Sequence, residues 1–236
     1  MFLNQIKRRS PIRILEKSIN GGLGKGNLGV FMGRAGVGKT PCLIYLALDD
    51  IIMDNSVLHF GVDKSVEKIK LWYDEIARHI VESFHLDNSN ELKGKIENNL
   101  IIMSYTNNTF SIDKMKSGIK NTTTQGKFAP NLIIVDGFNF ENASSADIKS
   151  FKEIAEEFNL EIWFSAQTHR ENKIFDEHNL PGPYSIFQEL LSVIVLLSPI
   201  KDAVFLKLLK DHNNLDLSNL HIKLDPQTLL VKPRFV

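Results

Sequence analysis

Residues 33–40 read Gly33-Arg34-Ala35-Gly36-Val37-Gly38-Lys39-Thr40 and match the pattern G-x-x-x-x-G-K-[ST] at every fixed position. The short apolar run 28–32 precedes this stretch and is typical of a buried strand, whereas the pattern from residue 38 to residue 52 predicts a helix. Glycines allow backbone N–H groups to turn toward phosphates, and a helix presents the positive end of its dipole to them. The stretch therefore predicts a phosphate-binding loop between a strand and a helix.

The last residues of this loop indicate which ligand it binds. Lys39 is the residue that reaches the β- and γ-phosphates of a nucleotide, and the hydroxyl of Thr40 is a ligand for Mg²⁺. Pro41 follows and has no backbone N–H for the α-phosphate, although proline is accepted in the first turn of a helix. We therefore predict that Gly33 to Pro41 bind ATP with Mg²⁺, with an affinity that Pro41 modestly reduces.

The rest of the chain alternates between strand and helix patterns. Strands are predicted at 57–61, 100–104, 132–135 and 161–165, helices at 66–84, 111–120 and 146–158, and loops at 87–99 and 121–126. This alternation favours an α/β fold with a mostly parallel sheet and helices on both faces. Four apolar runs at 192–197, 203–209, 220–224 and 229–231 predict a strand followed by an antiparallel meander at one edge. We expect one domain over 14–236, preceded by a basic surface arm at 1–13.

Three polar residues follow predicted strands of this sheet. Asp136 ends the apolar run 132–135, as a Walker B aspartate that holds Mg²⁺ through water does. Asp63 follows the strand at 57–61 and could polarise the attacking water, or simply cap the next helix. Gln167 follows the strand at 161–165 and could sense a γ-phosphate, or be an ordinary loop residue. Ligand sites in parallel sheets lie at these carboxyl ends, which favours a shared site.

The composition disfavours several classes of protein. Lys+Arg and Asp+Glu both number 28, so the chain has no basic excess for binding nucleic acid tightly. The single cysteine, Cys42, is compatible with a reducing cytoplasm, and no apolar run approaches the length of about 18 residues that a membrane span needs. The seven histidines show no metal-ligand spacing. We predict a cytoplasmic protein that uses no metal except Mg²⁺.

These pieces, in this order, resemble the RecA/DnaB/KaiC superfamily of P-loop ATPases, which contains recombinases, replicative hexameric helicases and clock-type ATPases. Residues 21–28 are similar to the family's approach to the loop, GGG-x-x-x-G-x-L. Residues 61–67 resemble S-L-E-M-S-x-E, and residues 165–170 resemble L-S-Q-L-x-R. Residues 186–194 are similar to I-E-Q-D-A-D-x-V, and residues 210–214 lie where the family has K-x-R-N-G. The resemblance runs from about residue 14 to the C-terminus and implies a RecA-like fold.

The resemblance also implies roles for individual residues. It places Asp63 at the catalytic glutamate and makes Gln167 the sensor glutamine. It places Lys210 and His212 at the lysine and arginine that reach the γ-phosphate bound by a neighbouring subunit. The chain therefore resembles proteins that form homo-oligomers, and we expect a ring or short filament, with six subunits favoured. The alternative is a monomer in which Lys210 is simply a solvated turn residue.

Two of these positions depart from the family pattern. Asp63 is one methylene shorter than glutamate. His212 is mostly neutral at pH 7 and lacks the forked guanidinium group of arginine. Because an arginine supplied in trans is worth about 10³–10⁵ in rate in GTPases, we expect slow hydrolysis.

Three functions are consistent with these features. The first is slow hydrolysis of ATP at a subunit interface. The second is a nucleotide-binding switch or scaffold in which ATP orders the segment after Gln167 for a protein partner. The third is a DNA-acting motor or strand-exchange protein with loops 137–145 and 169–185 facing DNA. The second of these loops carries acidic as well as basic residues, so nucleic acid is disfavoured as a partner.

Overall fold

The computed structural model of the protein describes residues 19, 21–83, 89–168, 184–201, 203–214, 217 and 221–225, and the statements below refer to these residues. The predicted arm at 1–13 and the apolar run at 229–231 lie outside them. The strands are β1 (Leu28–Gly33), β2 (Val57–Val62), β3 (Leu100–Tyr105), β4 (Leu132–Asp136), β5 (Glu161–Gln167), β6 (Val193–Ile200), β7 (Ala203–Asp211) and β8 (His221–Leu224). The α-helices are α1 (Lys39–Ile52), α2 (Val66–Ser83), α3 (Ser89–Asn99), α4 (Ile112–Thr124) and α5 (Ser145–Glu157).

The strands form one sheet in the order β3-β2-β4-β5-β1-β6-β7-β8. Neighbours from β3 through to β6 are parallel, whereas β7 is antiparallel to β6 and β8 is antiparallel to β7. The predicted mostly parallel sheet and its antiparallel C-terminal strands are therefore confirmed. In this order β1 lies inside the sheet, with β5 and β6 on its two sides.

Helices cover both faces of the sheet, as predicted. Side chains of α1, α2 and α3 belong to one hydrophobic cluster, and side chains of α4 and α5 belong to a second. Every residue of β1, β2 and β4 is buried. This burial on both faces explains why these strands are continuous apolar runs rather than alternating ones.

The predicted loop at 87–99 is wrong over 89–99, which form the helix α3. Its sequence is mostly polar because few of its side chains face the core. Leu92 is buried, and Ile96 packs against the same cluster. Residues 87 and 88 lie outside the described residues.

The predicted loop at 121–126 is also wrong over 121–124, because α4 continues to Thr124. The helix does begin as predicted, with the Ser111 side chain accepting a hydrogen bond from the backbone N–H of Lys114. At the other end, the hydroxyls of Thr122 and Thr123 donate to the Ile119 carbonyl oxygen. Such bonds to carbonyls three or four residues earlier allow threonine to remain helical. The prediction from composition alone therefore placed the end of this helix too early.

Among the described residues, none of the helices combines the length and the apolar character needed to span a membrane.

Candidate nucleotide-binding site

The phosphate-binding loop connects β1 to α1. Gly36 and Gly38 have φ values of +76° and +100°, a left-handed conformation that favours glycine. The helix α1 begins at Lys39, so Pro41 lies in its first turn. The first four N–H groups of a helix have no partner within it, so the missing donor of Pro41 costs the helix no hydrogen bond. The predicted strand, loop and helix context is confirmed.

Lys39 lies across this loop. Its ammonium donates hydrogen bonds to the carbonyl oxygens of Gly33 and Arg34, at 2.8 and 2.7 Å. Burial lowers the pKa of Lys39 to about 8, with Lys64 acting in the same direction and Asp136 in the opposite one. A phosphate near this ammonium would satisfy it better than two carbonyl oxygens, because hydrogen bonds between charged groups are the stronger ones.

Beside the loop, Asp136 forms a cluster with Thr40 and Lys64. The hydroxyl of Thr40 donates to Asp136 Oδ2 at 2.8 Å. The Nζ atom of Lys64 lies 2.5 Å from the same oxygen and donates to Thr40 Oγ1 at 3.1 Å. The Asp136 side chain is completely buried, whereas the Lys64 side chain keeps 26% of its exposure.

Ser165 on the neighbouring strand β5 holds the other oxygen of Asp136. Its hydroxyl donates to Asp136 Oδ1 at 2.6 Å and accepts a hydrogen bond from the backbone N–H of Gly137 at 2.9 Å. Burial by itself raises the pKa of Asp136, but Lys64, His59 and the hydrogen bonds from Lys64 and Ser165 lower it, and the net pKa lies below its ordinary value. Asp136 is therefore ionised at neutral pH.

These side chains fit a magnesium ion. A hydroxyl oxygen and a carboxylate oxygen within 2.8 Å of each other are hard donors of the kind that Mg²⁺ prefers. The ionised state of Asp136 adds the negative charge that such a cation needs. In the described part of the chain, no group of three or more His, Cys, Asp and Glu side chains could hold a metal ion.

A cavity of about 630 Å³ opens over this cluster, within the usual range of small-molecule sites. The phosphate-binding loop lines one side, including Lys39, Thr40 and Pro41. The other sides are lined by Lys64, Trp72, Asn107, residues 136–141, Ser165, Gln167 and Tyr184.

Asp63 and Gln167 are placed differently with respect to this cavity. Gln167 ends β5, pairs in register with Gly33 and lines the cavity. Asp63 is not among the described residues that line it. Its carboxylate accepts hydrogen bonds from the backbone N–H of Asn107, at 2.9 Å, and from the Asn107 side-chain amide. Asp63 is therefore engaged by the turn after β3, and Asn107 is the residue that reaches the cavity.

Lys210 and His212 lie at the opposite end of the sheet. Lys210 pairs with Ile194 at the start of β6, which lies beside the start of β1, whereas the phosphate-binding loop follows the end of β1. The Lys210 side chain donates to the Gln188 carbonyl oxygen, and His212 has Nδ1 2.7 Å from Asp211 Oδ1 and Nε2 3.0 Å from the Leu23 carbonyl oxygen. Neither residue can serve the phosphate-binding loop of its own chain.

Sequence reasoning missed several residues that line the cavity, among them Lys64, Ser165 and Asn107. Ser165 begins the stretch that resembles L-S-Q-L-x-R, so its closeness to Gln167 in the sequence could have identified it as a site residue. Lys64 stands where S-L-E-M-S-x-E has methionine, and no pattern assigned it a role. Only the pairing of β2 with β4, which aligns Gly61 with Asp136, brings Lys64 to the carboxylate.

Comparisons with known proteins agree with this description. No family model matches the chain. Over 137 residues the chain is 27% identical to a DnaB-like replicative helicase of Enterobacteria phage T4, and the alignment covers 53% of this chain but only 29% of the helicase. Among solved structures, an ATPase domain is similar with a TM-score of 0.69 at 15% identity, covering 95% of this chain and 90% of that domain. The RecA-like fold is confirmed, and the similarity to a DnaB-like helicase agrees with the predicted resemblance to RecA- and DnaB-type P-loop ATPases.

We predict that Ser165→Ala lowers the free energy of unfolding by about 1–3 kcal/mol, because it leaves the Gly137 N–H without its acceptor and Asp136 with one donor fewer. Urea denaturation measures the change. Ser150→Ala is the matched control, because its hydroxyl bonds only to the Ala146 carbonyl oxygen within α5 and alanine favours helix. Equal effects of the two substitutions would contradict the role given to Ser165.

Proposed function

We propose that this chain binds ATP with Mg²⁺ in the cavity over Asp136 and hydrolyses it slowly at an interface between subunits, coupled to a conformational change. The observation that carries the proposal is the convergence of Lys39, Thr40 and Asp136 on one cavity at the carboxyl ends of β1 and β4. The phosphate-binding loop and the RecA-like fold support it.

Each of these residues has a part in the proposed complex. Lys39 binds the β- and γ-phosphates in place of the two loop carbonyls that it now contacts. Thr40 and Asp136 hold Mg²⁺, which when bound neutralises phosphate charge. Gln167, which is paired with Gly33, lies where a side-chain amide can respond to the γ-phosphate.

Slow hydrolysis is supported by the positions of Asp63 and His212. Asp63 is hydrogen-bonded to Asn107 and has to leave that partner before it can polarise a water molecule in the cavity. His212 contacts Asp211 and Leu23 of its own chain, so a role toward a neighbouring subunit requires breaking those contacts.

These same contacts favour a second candidate function, a switch or scaffold that binds nucleotide with little turnover. In that case ATP acts through Gln167 on the segment that follows it, and a protein partner reads the result. The Tyr184 hydroxyl, which donates to the Gln167 carbonyl oxygen, connects Gln167 to the chain beyond residue 183.

A third candidate, a DNA-acting motor, is supported by the similarity to a replicative helicase of phage T4. The matched segment is only 29% of that protein, so the similarity does not extend to most of the helicase. Loop 137–145, which would face DNA in such a motor, contains no lysine or arginine. Without basic residues it offers nothing to pair with phosphates, so this candidate is the weakest.

We predict that saturating ATP with Mg²⁺ raises the melting temperature. A ligand at 100 times its Kd adds about 2.7 kcal/mol, or about 5–10 °C for a chain of this size. Lys39→Ala is expected to remove most of the shift, because it removes the phosphate-binding ammonium. Lys149→Ala, on the exposed face of α5, is the control and is expected to keep the shift. Absence of any shift with millimolar ATP or ADP would refute nucleotide binding.

We predict that the wild-type turnover of ATP lies well below the median enzyme value of about 10 s⁻¹. Asp63→Glu combined with His212→Arg is expected to raise it about tenfold or more, because the added methylene extends the carboxylate and a trans arginine contributes about 10³–10⁵. A phosphate-release assay measures both rates. If the wild type already turns over tens of ATP per second, or the double variant is no faster, the assignment of these positions is wrong.

We also predict a ring or short filament, with six subunits favoured, because Lys210 and His212 lie too far from their own phosphate-binding loop to serve it. Light scattering at micromolar protein with ATP and Mg²⁺ measures the assembly. A single species of 26.8 kDa under these conditions would exclude the role of Lys210 and His212 in a neighbouring site. Repeating the measurement without nucleotide shows whether ATP promotes assembly.

A further inference from the structure

Lys64 bonds both side chains that are assigned to Mg²⁺. Its Nζ atom lies 2.5 Å from Asp136 Oδ2 and 3.1 Å from Thr40 Oγ1. No other described lysine contacts Asp136, because Lys39 donates to the loop carbonyls instead. A positive charge supplied by the chain therefore already interacts with the donor atoms that a divalent cation would use.

The backbone around Lys64 is held in place, so this contact does not depend on the lysine side chain alone. The Lys64 carbonyl oxygen accepts a hydrogen bond from the Ser104 hydroxyl at 2.5 Å. The preceding residue, Asp63, donates its backbone N–H to the Tyr105 carbonyl oxygen at 2.8 Å and has a φ of +54°. β2 and the end of β3 together deliver the lysine to the Asp136 carboxylate.

The electrostatics of the site favour a stable contact. The Asp136 side chain is fully buried and that of Lys64 is three-quarters buried, with 26% of it exposed. An ionised carboxylate in such surroundings requires a cation or several donors. A hydrogen bond between two charged groups is also shorter and stronger than one between neutral groups.

We propose that the Lys64 ammonium is a built-in cation of this site, so that the chain binds ATP with little dependence on a divalent cation. Mg²⁺ at Asp136 and Thr40 would compete with the Lys64 ammonium for the same two oxygens. The proposal rests on the proposed function, because it concerns the same nucleotide site. It adds a residue that determines which cation accompanies the nucleotide.

The chemistry of the cavity explains how phosphates are neutralised without a metal ion. Lys39 and Lys64 both line the cavity, so two ammonium groups face the space in which the phosphates bind. Lysine is a flexible point charge with three donors, so Lys64 can contact a phosphate oxygen while it remains near Asp136. Methionine, which the resembled motif has at this position, supplies no charge and leaves that task to Mg²⁺.

The first experiment measures the Kd of ATP by isothermal titration calorimetry, with Mg²⁺ and again with EDTA. For the wild type we expect the two values to agree within about tenfold, because one charge-assisted hydrogen bond replaces another. Wild-type binding that is lost in EDTA would overturn the proposal while leaving nucleotide binding intact. Failure to bind ATP in both buffers would overturn the proposed function and this inference together.

The second experiment uses Lys64→Met and Lys64→Gln. The Lys64→Gln variant keeps an amide donor for Asp136, so it can be used if Lys64→Met impairs folding. Both variants are expected to bind ATP at least about tenfold more weakly in EDTA than in Mg²⁺. With ADP present, both are expected to bind Mn²⁺ more tightly than the wild type in electron paramagnetic resonance titrations, because the competing ammonium is gone. Lys68→Met removes the same charge from an exposed position four residues later and is expected to behave as the wild type. An equal loss of affinity in both buffers, or unchanged Mn²⁺ binding, would contradict the proposal.

Discussion

The rest of this site depends on one buried ionised carboxylate. Asp136 ends β4, which lies between β2 and β5 in the sheet, and its side chain has no exposure to solvent. An unpaired charge in such a place costs several kcal/mol, so its neighbours have to compensate it. Ser165, Thr40 and Lys64 do so from the three adjacent elements β5, α1 and the turn after β2. Because Thr40 and Lys64 hold Asp136 through hydrogen bonds and an ion pair, they can exchange these partners when phosphates or a divalent cation bind.

The loop after Asp136 is held in place by aromatic packing. Gly137 has a φ of +105°, and a Cβ atom there would lie 2.5 Å from the Val62 carbonyl oxygen. Phe138 then packs against Phe140 and Phe151, with ring centroids 5.0 Å apart in both cases. This packing keeps the loop beside the cavity and directs apolar rings into the core. A loop held in this way provides a stable wall for the cavity.

The direction of the strands separates the two halves of the proposed mechanism. Parallel strands place their carboxyl ends at one edge of the sheet, which brings the phosphate-binding loop, Asp136 and Gln167 together. The antiparallel β7 runs back to the other edge and carries Lys210 there. A chain built in this way has its nucleotide site and its candidate trans residues on opposite ends. The proposed trans role of Lys210 and His212 therefore requires a neighbouring subunit.

Local sequence determined the phosphate-binding loop, the strand before it, the helix after it and the carboxylate at the end of β4, because each depends on a short pattern of residues and its immediate context. It also determined the alternation that produces the mostly parallel sheet. The prediction from local sequence was wrong for 89–99 and 121–124, which are helical although their polar composition is typical of loops. A few apolar contacts stabilise the first of these segments, and threonine hydroxyls that bond to the Ile119 carbonyl oxygen stabilise the second. Only the tertiary structure decided that Asp63 is held by Asn107 and that Lys64 contacts Asp136. Both depend on how β2 pairs with β3 and β4, a contact between distant parts of the chain that no local pattern encodes.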